Sequence, residues 1–300
     1  MSRAAVVVNP TKLANEESFT EAVCLAMREH GWQEPLWLAT TAVDPGIGQA
    51  QQAVAAGVDL ILACGGDGTV TSCAEGVAGS GVPLAIIPIG TGNLLARNLG
   101  LPVDLHEALR VAFTGSDQQL DAGTANTKPF VVMAGLGLDA RMLADTSEPL
   151  KKWLGWAAYA VSAVRHLSDR PTRVTLIADD RPAIRVRASA VVVGNVGLLR
   201  GGLPLLPDAR PDDGVLDVVV LAARGWAAWA VLAAHILMRR GRTERVIRAQ
   251  FSSLRVQLER EQPWELDGEV MGATRQLVVA ARPGRLLLRL PHTQRTPVRR

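Results

Sequence analysis

The sequence predicts an α/β chain in two parts. Residues 1–122 read as a mainly parallel sheet with helices on both faces. Residues 123–290 read as an antiparallel, β-rich, sandwich-like domain, and the tail at 291–300 is a candidate to rejoin the first part. Three observations carry this. Over the first 120 residues short apolar runs alternate with helical stretches, the rhythm of strand, loop and helix in a parallel sheet. After Asp121, strand candidates follow one another across turn signals instead. A length of 300 residues, 48% apolar and 20% charged, supports two packed cores and argues against disorder.

The first part justifies itself element by element. Ala4 to Val8 is a strand ending at Asn9-Pro10-Thr11-Lys12. Asn15 can cap a helix that runs to His30, where Gly31 stops it. Leu36 to Ala39 is a short strand, followed by a Thr40-Thr41 loop and a helix through Gln49 to Ala56. The apolar run from Leu60 to Cys64 breaks into a loop, Gly65-Gly66-Asp67-Gly68-Thr69-Val70, and Thr71 to Val77 can start a helix. Val82 to Ile87 is a strand, broken by Pro88 and by Gly90-Thr91-Gly92-Asn93 before the helical Leu94 to Arg97. Asp104 and Glu107 have the spacing of a capping box for a helix to Phe113. Parallel sheets bind ligands outside the carboxyl ends of their strands. The loops at Asn9, Thr40, Gly65 and Gly90 are therefore expected on one edge.

In the second part Arg173 to Ile177 and Ile184 to Val193 flank the turn Asp179-Asp180-Arg181-Pro182. Leu216 to Leu221, Leu254 to Leu258, Leu277 to Ala281 and Leu286 to Leu290 are further strand candidates, the last two joined at Arg282-Pro283-Gly284. Two helical insertions, Leu150 to Leu167 and Trp226 to Arg240, carry tryptophans and end in basic residues. A core helix explains them; contact with a bilayer interface, where Trp and Arg are both favoured, is the sharper alternative.

Composition excludes several classes. The net charge of +3 is spread along the chain, denser only near Arg239-Arg240-Gly241-Arg242 and at Arg299-Arg300. No aromatic residues interleave a basic run, so nucleic acid is not an expected partner. Cys24, Cys64 and Cys73 lie in apolar contexts and read as small hydrophobes of a reducing compartment. The five histidines lack ligand spacing. The chain enters a strand at once, without a signal peptide, and no apolar run reaches bilayer length. A soluble, cytoplasmic protein is expected.

Chemistry concentrates in the glycine loops. Glycine lets the backbone turn sharply and approach a ligand closely, and the exposed N–H groups at a helix start attract phosphate. Asp67 repels phosphate by itself, but a carboxylate beside a phosphate cradle makes sense with Mg²⁺ between them. The plain alternative is a strand-to-helix turn with an Asp at its cap. The loops at Asn9–Lys12, Gly65–Thr69 and Pro88–Asn93 together offer the donors, hydroxyls and carboxylate that a nucleoside triphosphate with Mg²⁺ needs. They match neither the Walker A loop nor Gly-x-Gly-x-x-Gly. In the second part, Trp264-Glu265-Leu266-Asp267-Gly268-Glu269-Val270 puts a tight turn between apolar flanks and fixes a carboxylate there. Such a turn can hold a general base or be a solvated hairpin tip.

These motifs, in this order, resemble the diacylglycerol kinase catalytic-domain family of lipid kinases, which includes sphingosine and ceramide kinases. The resemblance runs through Asn9-Pro10, Gly65 to Thr69, Pro88 to Arg97, Leu120 to Gly123, Gly135 to Ala140, Pro207 to Ala209, Asp212 to Asp217 and Asp267-Gly268-Glu269. It implies a two-domain kinase with the active site in the cleft and a Rossmann-like first domain that binds ATP. Asn9, Pro10, Thr11, Lys12, Thr40, Gly65, Gly66, Asp67, Gly68, Thr69, Val70, Thr71, Gly90, Thr91 and Asn93 would surround the nucleotide. Asp67 would help hold a catalytic Mg²⁺, with Asp121 supporting that network. Glu269 would be the general base that takes the proton from a lipid hydroxyl, most plainly that of diacylglycerol. A structural Mg²⁺ would map to the Asp213 side chain and the carbonyls of Arg210 and Val215.

The resemblance also implies a lipid substrate met at a membrane surface, with peripheral contact at the inner face; a homodimer is left open. Two departures stand out. Many bacterial relatives have Asn-Glu where this chain has Thr71-Ser72, and Asn-Asp where it has Asn93-Leu94, which removes a carboxylate near the metal. Two other readings compete. One is a kinase of another hydroxyl, a sphingoid lipid or NAD, since NAD kinases share the Gly-Gly-Asp-Gly-Thr loop. The other is a nucleotide or lipid sensor without turnover.

Overall fold

A computed structural model describes residues 2–137, 171–199, 204–222 and 246–292. The predicted helices at 150–167 and 226–240 lie outside the described residues, as do Asp139, the Arg239–Arg242 run and Arg299-Arg300. The chain divides into two compact units: Met1–Leu120 with the return from Gly284, and Asp121–Pro283.

The first unit is a parallel sheet. Its strands are β1 (Ala4–Val8), β2 (Leu36–Ala39), β3 (Leu60–Gly65) and β4 (Leu84–Pro88). The order is β2-β1-β3-β4, every pair parallel, and β4 is flanked in parallel by the end of the last strand of the chain at Leu288. Every residue of β1, β3 and β4 is buried, as expected for parallel strands covered on both faces. On one face Val6, Val8, Leu60 and Leu62 pack with Phe19, Val23 and Met27 of α1 (Glu16–Glu29) and with Leu109 and Phe113 of α5 (Leu105–Thr114). α2 (Ile47–Ala55) and α3 (Asp67–Val77) pack on each other closely enough that a Cβ at Gly76 would meet the Ile47 carbonyl oxygen at 2.6 Å.

Local capping follows the sequence. Asn15 accepts the Ser18 N–H, Gly31 has φ +73° past the end of α1, and Asp104 accepts the Glu107 N–H. Glu107 itself turns to Arg110.

One boundary differs with consequence. Asp67 is not a loop residue but the first residue of α3, with Gly66 at the N-cap. An acidic residue in the first turn is favoured by the helix dipole, and with Gly66 extended at the N-cap the helix begins four residues earlier than Thr71.

The second unit is antiparallel. It contains β6 (Lys128–Phe130), β7 (Met133–Leu136), β8 (Thr172–Ala178), β9 (Ile184–Ala188), β10 (Ala190–Gly194), β11 (Leu216–Leu221), β12 (Val246–Phe251) and β13 (Ser253–Leu266). It also holds most of β14 (Glu269–Leu290) and the latter part of β5 (Ser116–Ala125). β13 organises it. Its first half pairs with β8, its second half with β7, and the register shifts between Gln257 and Gln262. Such an irregularity lets one strand serve two layers. The inward residues of β8, β10, β11, β13 and β14 close a single core, including Leu176, Val193, Leu216, Val256 and Leu277.

Two strand expectations are corrected. The run from Ile184 to Val193 is two strands split at Ser189, because β9 pairs with β8 whereas β10 pairs with β7 and β11. Arg282-Pro283-Gly284 does not divide two strands: β14 runs through it. Its register with β13 ends at Ala280, so the missing Pro283 N–H falls where the strand changes neighbour.

Candidate active site

In the first unit the chain leaves β1 through α1 to reach β2 on one side, and leaves β3 through α3 to reach β4 on the other. The crevice at such a reversal, at the carboxyl ends of adjacent strands, is where open α/β sheets hold ligands. Here it lies between Asn9 and Gly65, and the Asn9 N–H donates to the Cys64 carbonyl at 2.9 Å. Asn9 Oδ1 accepts from the Thr11 N–H (3.1 Å) and hydroxyl (2.8 Å), folding Pro10–Lys12 into a 3-10 turn that leaves the Lys12 ammonium exposed. Thr40, buried at the end of β2, donates its N–H to the Val8 carbonyl at 2.8 Å.

The two glycine loops touch. A Cβ on Gly90 would sit 2.4 Å from the Gly66 Cα, and the Gly90 N–H donates to the Gly65 carbonyl at 3.2 Å. A Cβ on Gly65 would strike the Thr69 side chain at 2.4 Å. Asn93 takes a left-handed conformation (φ +49°), accepts the Gly90 N–H at 3.1 Å and donates to the Gly90 carbonyl at 2.7 Å, so its amide shapes the loop from within. Thr69 and Val70 are buried, whereas Gly68 and Thr91 are exposed. Thr71 is half-buried one turn along α3. Asp67 Oδ1 accepts the Leu94 N–H, linking the start of α3 to the start of α4 (Leu94–Asn98). With glycine at its N-cap, α3 begins without a side-chain cap, and N–H groups at such a start are donors for an anion. Burial pushes the Cys64 thiol well up and the Cys73 thiol up to about 12, so neither supplies a thiolate.

The second unit holds the other candidates. Leu266-Asp267-Gly268-Glu269 is a two-residue hairpin with φ +48° at Asp267 and +90° at Gly268, the positive-φ turn that Asp-Gly favours. Glu269 is exposed, and its carboxylate makes no hydrogen bond or ion pair among the described residues. Asp121 is buried; its carboxylate accepts the Gly214 N–H at 2.7 Å and its carbonyl accepts the Asn195 side-chain N–H at 2.8 Å. Asp213 caps its own turn by accepting the Val215 N–H at 3.2 Å, and Arg210 pairs with Asp212 at 3.3 Å. Burial pushes the Asp217 carboxyl up to about 6, with the charges of Asp213 and Asp208 adding and a hydrogen bond from Gln250 opposing.

Thus the first unit gathers Asn9–Lys12, Gly65–Thr69 and Gly90–Asn93 on one edge. Asp67 belongs to that unit; Asp121, Asp213 and Glu269 belong to the other. Among the described residues no group of three His, Cys, Asp or Glu side chains is arranged to hold a metal.

Sequence reasoning gave no role of their own to Asn195, Asp217 and Glu265, all buried polar residues in or beside strands. Glu265 explains Gly135, where a Cβ would meet Glu265 Oε1 at 2.8 Å. The legible signal was a polar residue interrupting an apolar strand.

A parallel sheet with helix-start donors on its carboxyl edge, followed by an antiparallel β-rich unit, is an arrangement suited to holding a phosphate-bearing ligand. The chain belongs to the diacylglycerol kinase family of lipid kinases. Residues 3–125 match the diacylglycerol kinase catalytic domain, and residues 130–289 match the YegS C-terminal NAD kinase beta sandwich-like domain. It is 33% identical over 297 residues to a "Probable lipid kinase YegS-like" of Pseudomonas putida, covering 96% of each chain. It is 29% identical over 281 residues to a diacylglycerol kinase of Bacillus subtilis, covering 91% of each. A diacylglycerol kinase structure from Bacillus anthracis superposes with a TM-score of 0.74 at 22% identity, covering 97% of both chains. An NAD kinase from Archaeoglobus fulgidus in complex with ATP shares the fold alone, with a TM-score of 0.53 at 13% identity over 97% of this chain and 94% of that one.

Proposed function

We propose that this kinase transfers the γ-phosphoryl group of ATP to a lipid hydroxyl, with diacylglycerol as acceptor and phosphatidic acid as product. The observation that carries the reading is the contact between the Gly66 and Gly90 backbones, with Asp67 at the helix start beside them. It supports a phosphate cradle built from main-chain donors, into which Asn9, Thr11, Lys12, Thr40, Thr71 and Thr91 bring side chains. Lys12 contributes an ammonium for the phosphates. Glu269 is the base: exposed and without a competing partner among the described residues, it takes the hydroxyl proton as the oxygen attacks phosphorus.

The residues fit Mg²⁺ carried in with the nucleotide, because this ion keeps most of its water and asks for one or two carboxylates beside the phosphates. Asp67, at the helix start beside the phosphate cradle, would help hold it, and it would supply charge neutralisation of the phosphate oxygens. The structural Mg²⁺ implied for the second unit would be held at the Arg210–Val215 turn by the Asp213 side chain and the carbonyls of Arg210 and Val215, ligands of the oxygen type this ion takes.

No helix among the described residues is long and apolar enough to cross a membrane. Peripheral contact at the inner face is the mode of access proposed for the lipid.

Purified protein incubated with labelled ATP and diacylglycerol micelles, sphingosine micelles or NAD tests this. Label in phosphatidic acid is expected. Label in NADP alone would overturn the lipid reading, and nucleotide binding without transfer to any acceptor would point to a sensor.

A further inference from the structure

We propose that Asp267 is a positioning residue for Glu269, clamping the hairpin that carries the base; this rests on the reading of Glu269 as base. A two-residue hairpin of this kind needs only residues that tolerate positive φ, and an Asp-Gly tip in water would serve. Asp267 does much more. Its carboxylate accepts three consecutive backbone N–H groups, from Val131 (3.0 Å), Val132 (2.9 Å) and Met133 (2.8 Å), and its own N–H donates to the Met133 carbonyl at 2.9 Å. Hydrogen bonds to an ionised acceptor are the strong ones. Three of them on one side chain fix both its rotamer and the segment it grips.

That segment is anchored in turn. The Asn195 N–H donates to the Val132 carbonyl at 2.9 Å, and its buried side-chain N–H bridges the Val131 carbonyl (3.2 Å) and the Asp121 carbonyl (2.8 Å). Asp121 grips the Gly214 turn through its carboxylate. A continuous polar brace therefore runs inside the second unit from the Glu269 hairpin to Asp121. Glu269 lies two residues beyond Asp267, opposite Leu266 in the ladder, and its carboxylate makes no hydrogen bond among the described residues. Its placement comes from the hairpin alone, and Asp267 is what ties that hairpin down. Small misplacements of a catalytic group are costly: about 1 Å can lose about 100-fold in rate.

The test measures kcat, KM for ATP and the unfolding midpoint of the full chain for Asp267→Ala, Asp267→Asn, Glu269→Gln and the Asp267→Ala/Glu269→Gln pair. Asp267→Ala is expected to lower kcat per folded molecule by roughly 10- to 100-fold with KM for ATP unchanged. Asp267→Asn, which keeps the left-handed conformation and an acceptor for Val132 and Met133, is expected to recover much of that loss. Because Asp267 acts through Glu269, adding Asp267→Ala to the residual turnover of Glu269→Gln should cost less than about twofold.

Losses that multiply in the double variant would overturn the clamp. So would a kcat per folded molecule that stays at the wild-type value while only the unfolding midpoint falls. If Glu269→Gln turns over like wild type, the base assignment fails and the clamp with it; if Glu269→Gln is impaired and Asp267→Ala is not, the clamp alone fails. Should Asp267→Ala not fold, Asp267→Asn takes its place in the same cycle.

Discussion

The glycine edge of the first unit and the Asp267 hairpin of the second solve opposite problems. The first is built almost wholly of main chain: Gly90 clears space for the Gly66 backbone, Gly65 makes room for the Thr69 side chain, and α3 starts without a side-chain cap. The second is built of carboxylates, with Asp267 holding three N–H groups and Glu269 exposed beside it. Main-chain sites fail when a side chain is added, whereas carboxylate sites fail when one is removed. The two regions should therefore separate nucleotide binding from turnover.

The largest effect is expected from Gly90→Ala. Its Cβ would fall 2.4 Å from the Gly66 Cα, and backbone cannot yield as a flexible side chain can. ATP binding should be lost in calorimetry, together with turnover. Glu269→Gln comes next, lowering kcat by about 10²- to 10⁴-fold while ATP binding and the unfolding midpoint stay as in wild type.

Asp67 sharpens the comparison because it is a carboxylate within the main-chain site. Asp67→Ala removes the acceptor of the Leu94 N–H and should cost about 1–3 kcal/mol of stability as well as turnover. Asp67→Asn, which retains an acceptor, should keep the stability in denaturant titration and lose turnover. Equal stability of the two variants would remove the link between α3 and α4.

The smallest effect concerns pH. The Asp217 carboxyl is raised from its ordinary 3.8 to about 6 by burial, so the folded chain binds a proton there that the unfolded chain releases. The stabilisation is complete below about 3.8 and is lost as pH rises through about 6. Asp217→Asn should flatten the fall in stability between those values in denaturant titrations. Parallel curves for the two proteins would contradict the assignment.

Much of this was legible in the sequence because its cause is local. Asn15, Gly31 and Asp104 mark helix ends by their own chemistry, and Asp267-Gly268 marks its turn by tolerating positive φ. The gathering of the Asn9, Gly65 and Gly90 loops followed from the rhythm of a parallel sheet. The unread features depend on residues distant in sequence. Pro283-Gly284 has the composition of a turn, but the strand runs on past its last β13 partner at Ala280 because it has other partners in β5 and β4. Ile184 to Val193 reads as one apolar run, yet its halves answer to different partners. Asn195 and Glu265 have meaning only against Val131, Asp121 and Gly135, and the grip of Asp267 on residues 131–133 spans more than 130 positions. The start of α3 at Asp67 was missed for a smaller reason: a glycine N-cap gives no side-chain signal.

The most direct test sets the two regions side by side: the dissociation constant for ATP and the rate of phosphoryl transfer to diacylglycerol, measured on Gly90→Ala and Glu269→Gln together. The predicted result is a split, with Gly90→Ala failing to bind ATP and Glu269→Gln binding it as wild type does but transferring at most about one-hundredth as fast. Normal ATP binding by Gly90→Ala, or wild-type transfer by Glu269→Gln, would contradict the division of labour between cradle and base.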